Sequence, residues 1–372
     1  MTLMESFLRH YLMEYYLVLY LLILFLVSAF VHHFYKKSTG CQAVAGNIVM
    51  AIGIVLFDVL PQFHFVTPLL RQLIIMELLI IGFYLLCFFV NCSIEGRFNL
   101  FTASAINQFG MGTWVAGSSI LAVLFLQEFP SWHIVIWTCA NCALLIWPIY
   151  IIISLRNLQR IFLKKIKLHT GSILLLTVST QALALMTHLL FAPAIPILTS
   201  QGLIILGYLF YIIGGIIIGR YLLTCTKKRL FLAWNNSNSI LHGALSISGL
   251  ASTVTQALSD KVILNTWILA TSLLFLVEGM SLIKMYHRIK IAGFLHGIFV
   301  YNLSQWTRIF TLGMYYSFSF ALYKYNIDTN FIINAVIMYG KYIVLIILLF
   351  EVFLFLQDKL SNLNGAIKIT AT

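Results

Sequence analysis

A chain of 372 residues that is 61% hydrophobic and only 9% charged, with a mean hydropathy of +0.97, has too few charged side chains to cover a soluble domain. Its composition is that of a polytopic integral membrane protein. The formal net charge of +12 is not a nucleic-acid signature, because the cations are sorted along the chain rather than pooled in one patch; it orients the chain and attracts anionic headgroups of the lipid bilayer.

About eleven spans can be drawn, each of the 17–25 residues needed to cross about 30 Å of hydrocarbon. They run near 13–34, 43–60, 68–91, 101–126, 132–154, 170–191, 197–224, 236–257, 262–284, 299–323 and 332–356. The first is too long for a signal-peptide core, and Glu5 and Glu14 spoil a basic flank, so it reads as a spanning helix. Lys36 and Lys37 follow the first span, Arg97 the third, and Arg156, Arg160, Lys164, Lys165 and Lys167 the fifth. Arg220, Lys227, Lys228 and Arg229 follow the seventh, Lys284, Arg288 and Lys290 the ninth, and Lys359 and Lys368 the last. The other gaps, at 61–67, 128–131, 192–196, 259–261 and 325–330, are short and poor in cations. Only Arg9, Lys261 and Lys324 break the alternation, while Arg71, Arg308 and Lys341 lie inside apolar stretches. Cationic loops stay cytoplasmic. The pattern therefore predicts a multi-pass protein of the cell (plasma) membrane with its N-terminus outside and its C-terminus cytoplasmic.

The chain divides into three parts: an extra N-terminal transmembrane helix in 1–40, a ten-helix domain in 41–358 and a short cytoplasmic tail in 359–372. The ten helices pair into five hairpins whose leading members begin near 43, 101, 170, 236 and 299, an irregular repeat of about sixty residues. Leading helices are rich in small and hydroxyl residues, such as Gly110, Gly112, Thr113, Gly117 and Ser118, or Gly243, Ser246, Ser248, Gly249 and Ser252. Trailing helices, such as 73–89 and 344–356, are bulky and aliphatic. Uniform apolarity suits lipid, whereas small polar residues suit close packing or a wetted lumen. The predicted fold is all-α: a ring of five helical hairpins whose inner helices line a central pore, with the extra helix outside it. A compact bundle without a pore would use the same residues.

Four leading segments carry recognisable wording: 107–122 reads NQFGMGTWVAGSSILA, 177–184 TVSTQALA, 239–252 SILHGALSISGLAS and 305–315 QWTRIFTLGMY. They resemble the VAGT-type, TQS/A-type, YWINMGA-AI-type and YW-x-x-VFPLGMY-type segments of the tellurite-resistance/C4-dicarboxylate transporter family. That family includes bacterial TehA-like channels, fungal malate and sulfite transporters and the slow-type anion channels of plants. Segment 49–55, VMAIGIV, is similar to the family's first-helix VMATGIV. The resemblance runs from Gln42 to the last helix, with its segments in family order. It implies a ten-helix ring around a pore, and an aromatic gate at the position of Phe310. The helix at 13–34 has no counterpart. Thr311 replaces a proline, Leu241 and His242 replace Asn-Met, and Ile52 replaces a threonine, so polar lumen groups are lost.

The residues expected to line the pore are Gly53, Thr113, Gly117, Ser118, Thr180, Gln181, Gly243, Ser246 and Gly313. Their hydroxyls and amides could replace an anion's hydration, or could bond back to the preceding helical turn. Phe310 is expected to exclude water as a gate or simply to pack. Arg308 stands about 200° round the same helix from Phe310 at about 100° per residue. It is expected to snorkel to the cytoplasmic face or to pair with Glu278, or else to attract anions. Asp58 and Arg71 are expected to pair with each other. His242 could tune anion entry by titrating near neutrality, or pack as a hydrogen-bonded histidine. The pair Cys139 and Cys142 reads as packing within a helix, and no metal-ligand spacing, cofactor site or catalytic residue is predicted. No nucleotide-binding loop occurs, so transport would be passive or gradient-coupled. The expected partners are small anions or organic (di)carboxylates and lipid, with homo-oligomer formation left open. Two other classes compete: a signalling or assembly membrane protein whose pore has closed, and a membrane-embedded enzyme acting on a lipid-linked substrate through His242, His188 or His296.

Overall fold

The computed structural model describes residues 45–94, 104–164, 166, 170–192, 194, 196–226, 231 and 234–370, together with Leu19, Tyr20, Leu22 and Leu26. The helix expected at 13–34 lies almost wholly outside the described residues. Among those described, every regular element is helical. In chain order they are α1 (Gly46–Gln62), α2 (Pro68–Ile94), α3 (Ala105–Glu128), α4 (His133–Phe162), α5 (Gly171–Phe191) and α6 (Ile197–Thr224). Beyond them lie α7 (Ile240–Thr255, entered through the turn Asn236–Ser239), α8 (Asp260–Ile298), α9 (Ser304–Lys324) and α10 (Phe331–Thr370). Seven, namely α2, α3, α4, α5, α6, α8 and α10, are long and apolar enough to cross a membrane. The protein is accordingly a helical membrane protein, whose backbone groups are satisfied within the segments themselves.

Local chemistry sets the helix ends. Ser104 caps α3 by accepting from the Asn107 amide at 3.2 Å. Pro61 stands in the last turn of α1, after which Phe63 is extended. Left-handed residues close α7 at Gln256 and α9 at Asn326. α8 runs past its apolar portion through Lys284 and Arg288 and breaks only at Gly293, whose φ of +77° suits a residue without Cβ.

Burial divides the helices by composition. In the apolar windows of α3 and α5, 83% of residues are buried, against 17% to 28% in α2, α4, α6, α8 and α10. Nearly all of α7 and two thirds of α9 are buried as well. The odd helices pack on one another: α1 on α3, α3 on α5, α5 on α7, α7 on α9, and α9 on α1. They do so in parallel register. A Cβ on Gly46 would meet Thr113 and one on Gly53 would meet Ile120 at 2.7 Å; one on Gly243 would meet Thr311 and one on Gly249 Phe318. Both members of each pair advance together along the chain. Each even helix touches the odd helices before and after it, as α2 touches α1 and α3, and α10 touches α9 and the Val55–Val59 turn of α1. Small residues permit such close backbone approach where lipid supplies no hydrophobic drive between helices.

Candidate functional site

One small space is shared by all five odd helices. Met50 enters it from α1, Ser119 from α3, Leu185 from α5, Ile247 from α7, and Phe310 and Met314 from α9. Four residues apart, Phe310 and Met314 present one helical face to it. The space amounts to about 20 Å³, room for a single water. Its walls are apolar, because the Ser119 hydroxyl donates to the Val115 carbonyl at 2.8 Å rather than inward. The Phe310 ring is 2% exposed and fills the space from one side.

The residues expected to line a lumen lie around this space rather than against it. Gly53, Gly243 and Gly313 sit where one odd helix presses on another, and Gly117 faces Val49 of α1. Thr113 donates to the Gly110 carbonyl at 2.8 Å, and Ser246 to the His242 carbonyl at 2.8 Å. Thr180 donates to Leu176 at 2.8 Å while accepting from the Trp147 indole of α4 at 3.2 Å. Gln181 donates to the Ile204 carbonyl of α6 at 3.0 Å. Ser118 is half-buried, and its neighbour Ser119 takes the place on the inner face. Hydroxyls in apolar helices commonly bond to the preceding turn, so hydroxyl content alone does not identify an inner face. Met50, Leu185, Ile247 and Met314 carry no polar signal and were not expected from the sequence; only their helical register with Phe310 and the motif segments points to them.

Polar groups gather instead where the odd helices begin. Arg308 donates from Nε to Glu278 Oε2 of α8 at 2.7 Å, and its Nη2 donates to the same oxygen. Glu278 Oε1 faces Nε2 of His242 at 3.9 Å. The His242 side chain is fully buried, and neither of its ring nitrogens has a hydrogen-bond partner among the described residues. Beside them Asn47 of α1 donates to the Thr307 hydroxyl at 2.7 Å. The Trp306 indole donates to the Tyr301 hydroxyl at 3.1 Å.

The opposite ends of the helices hold a second group of charges. Here the expected Asp58–Arg71 pair is corrected: Arg71 binds Glu128 at 2.6 Å and Gln127 at 3.2 Å, both on α3. Asp58 falls in the π-helical turn Val55–Val59 and faces Ser317 of α9. Such a turn carries an extra residue and rotates the residues beyond it, which carries Asp58 away from the azimuth an uninterrupted helix would give it. Lys341 donates to the Gln62 carbonyl at 3.2 Å and lies over the Phe63 and Tyr342 rings.

No group of three or more His, Cys, Asp or Glu side chains among the described residues is placed to hold a metal ion. Cys139 and Cys142 are free thiols on α4. His188 lies in the last turn of α5 and His242 in the first turn of the parallel α7, so the two do not converge. A scan against protein-family models finds no match for the chain, and comparison with curated proteins finds none.

Proposed function

We propose that this protein is a closed channel or transporter for small anions or organic (di)carboxylates, of the tellurite-resistance/C4-dicarboxylate type, with Phe310 as its gate. In this reading the five hairpins form a ring, the odd helices are its inner wall and the space beside Phe310 is the residual lumen. The membrane is the plasma membrane, and flux is passive or driven by an existing gradient. The observation that carries the reading is that each odd helix contributes a side chain to one shared space, and that Phe310 is among them. An aromatic ring in a narrow, dry constriction blocks ions until it is displaced. Reconstitution into liposomes tests this: chloride, nitrate and a C4-dicarboxylate are offered in turn, and efflux is compared between wild type and Phe310→Ala. Efflux of at least one anion that rises in the variant supports the reading. Empty-vesicle rates in both proteins for all three would overturn it.

A second reading rests on the same walls. Apolar side chains line the space, and the helices press closely at Gly243 and Gly249. A protein whose pore has closed for good, retained for signalling or assembly, would have this packing. It predicts no flux even after Phe310 is truncated.

A further inference from the structure

Glu278 is a carboxylate divided between two neighbours. Its Oε2 receives both donors of Arg308. Its Oε1 has no hydrogen-bond partner among the described residues and faces His242 Nε2 across 3.9 Å, a ring whose two nitrogens are unpaired as well. Buried polar atoms are seldom left so, and here two of them face each other at a separation that a small side-chain rotation would close to a hydrogen bond.

Few other groups face this histidine. α8 brings Glu278 and α9 brings Arg308. α6 brings the Tyr211 hydroxyl, already donated to the Leu241 carbonyl at 3.1 Å. α5 carries a single titratable residue, His188, in its last turn at the other end, and the turn Asn236–Ser239 carries none. The ring therefore answers to one anion and one cation.

We infer that His242 and Glu278 form a proton-binding site whose occupancy sets how firmly Glu278 holds Arg308, and through Arg308 the stretch of α9 that carries Phe310. The lone pair of the unprotonated ring nitrogen takes one proton from a hydronium ion, which leaves as water, no bond in the protein breaks, and Nε2–H then donates to Oε1. The three side chains go from a net charge of zero to +1, with the carboxylate shared between two cations. Glu278 and Arg308 are partly accessible while His242 is not, so the proton arrives from the carboxylate side. Arg308 precedes Phe310 by two residues and stands about 200° round the helix, so the site grips the back of α9 while the ring fills the central space. From the proposed function the inference takes only that Phe310 obstructs a lumen.

Nuclear magnetic resonance of the full-length protein, histidine-labelled with nitrogen-15 and held in lipid nanodiscs, tests the site. His242→Gln removes and so assigns one imidazole signal. That signal should move with pH as the ring takes up its proton. In Glu278→Gln its midpoint should fall by about one pH unit, because an adjacent carboxylate favours the imidazolium. The double variant Glu278→Gln/Arg308→Gln, which leaves no unpaired buried charge, should move it the same way. A signal that stays fixed from about pH 4 to 9, or an unchanged midpoint in both variants, overturns the site. Anion efflux tests the link to the gate: a pH dependence in wild type that is lost in His242→Gln supports it. A titrating His242 with pH-independent efflux overturns that link. Absence of efflux at every pH, in Phe310→Ala too, removes the transport reading, and the histidine signal alone then decides the proton site.

Discussion

Asn47 on α1 donates to the Thr307 hydroxyl of α9 at 2.7 Å, a buried bond between residues 260 positions apart. It joins the first described helix to the ninth, and it is one of three ties made by successive residues of α9. Trp306 bonds to Tyr301 and stacks edge-on against Phe355 of α10; Arg308 bonds to Glu278 of α8. Neighbouring residues on a helix point about 100° apart, so three in a row hold α9 from different sides. Ile309 and Phe310 come directly after them. The stretch of α9 that carries the Phe310 ring is thus held on several sides by contacts of the residues just before it.

Asn47→Leu keeps the volume of the side chain while removing its donor. Interhelical hydrogen bonds in membrane proteins average about 0.6 kcal/mol and reach about 1.7. The upper half of that range is expected here, because Thr307 is left buried. Unfolding in mixed detergent micelles measures it. A variant as stable as wild type would show that the bond contributes nothing net.

Gly249 faces Phe318 so closely that a Cβ would lie 2.1 Å from the ring, and Phe318 is itself fully buried. Gly249→Ala should therefore destabilise by about 1–3 kcal/mol through overpacking. Phe318→Leu in the same chain should recover part of the loss. Gly219, with nothing within 4 Å, provides the contrast. There an added methyl should be neutral or slightly stabilising, because alanine favours helix over glycine by about 1 kcal/mol. Equal losses at both sites would refute this account of odd-helix packing.

Loop charge and hydropathy make the helices themselves legible. The spans expected at 68–91 and 197–224 correspond to α2 and α6, because apolar length is a direct requirement of the bilayer. The end of α8 is not legible. Hydropathy falls at Lys284, but helix formation depends on backbone propensity, and the chain stays helical until Gly293. Azimuth is hidden more thoroughly than length. Sequence spacing gives the period of a helix but not which neighbour a residue meets, so it points to Ser118 where Ser119 holds the inner face. It likewise pairs Arg71 with Asp58, though Glu128 holds it. The Arg308–Glu278 pair can be read because two charges in adjacent apolar helices have few alternatives.

Glu278→Gln should be more damaging than Glu128→Gln. The first leaves Arg308 without its counter-ion in a largely buried place, a change that typically costs about 3–5 kcal/mol. The second breaks a pair of similar exposure, but Arg71 keeps its bond to Gln127 at 3.2 Å and so is not left without a partner, and the loss should be smaller. Adding Arg308→Gln to Glu278→Gln should restore much of the stability, since no unpaired charge then remains. Thermal unfolding in one detergent ranks all three. If the double variant is no more stable than Glu278→Gln alone, the unpaired charge is not the cause of the loss.

Phe310 and Ile309 are both buried and adjacent, yet only Phe310 borders the central space. Truncating each to alanine therefore separates gate from packing. Phe310→Ala removes most of a ring from a space that now holds about one water, and apolar walls together with the Ser119 backbone turn remain. If the ring is the obstruction, anion efflux should rise well above wild type, because the barrier removed is steric and dewetting rather than a binding step. Ile309→Ala, pointing about 100° away, should leave efflux near the wild-type rate. Both variants lose buried volume, and large-to-small changes cost about 2–5 kcal/mol in soluble-protein terms. Yield and unfolding must therefore be measured beside flux, and flux expressed per folded molecule. Higher flux per molecule in Phe310→Ala alone identifies the gate. Reduced yield in both variants with unchanged flux per molecule makes Phe310 a packing residue and removes it as the gate.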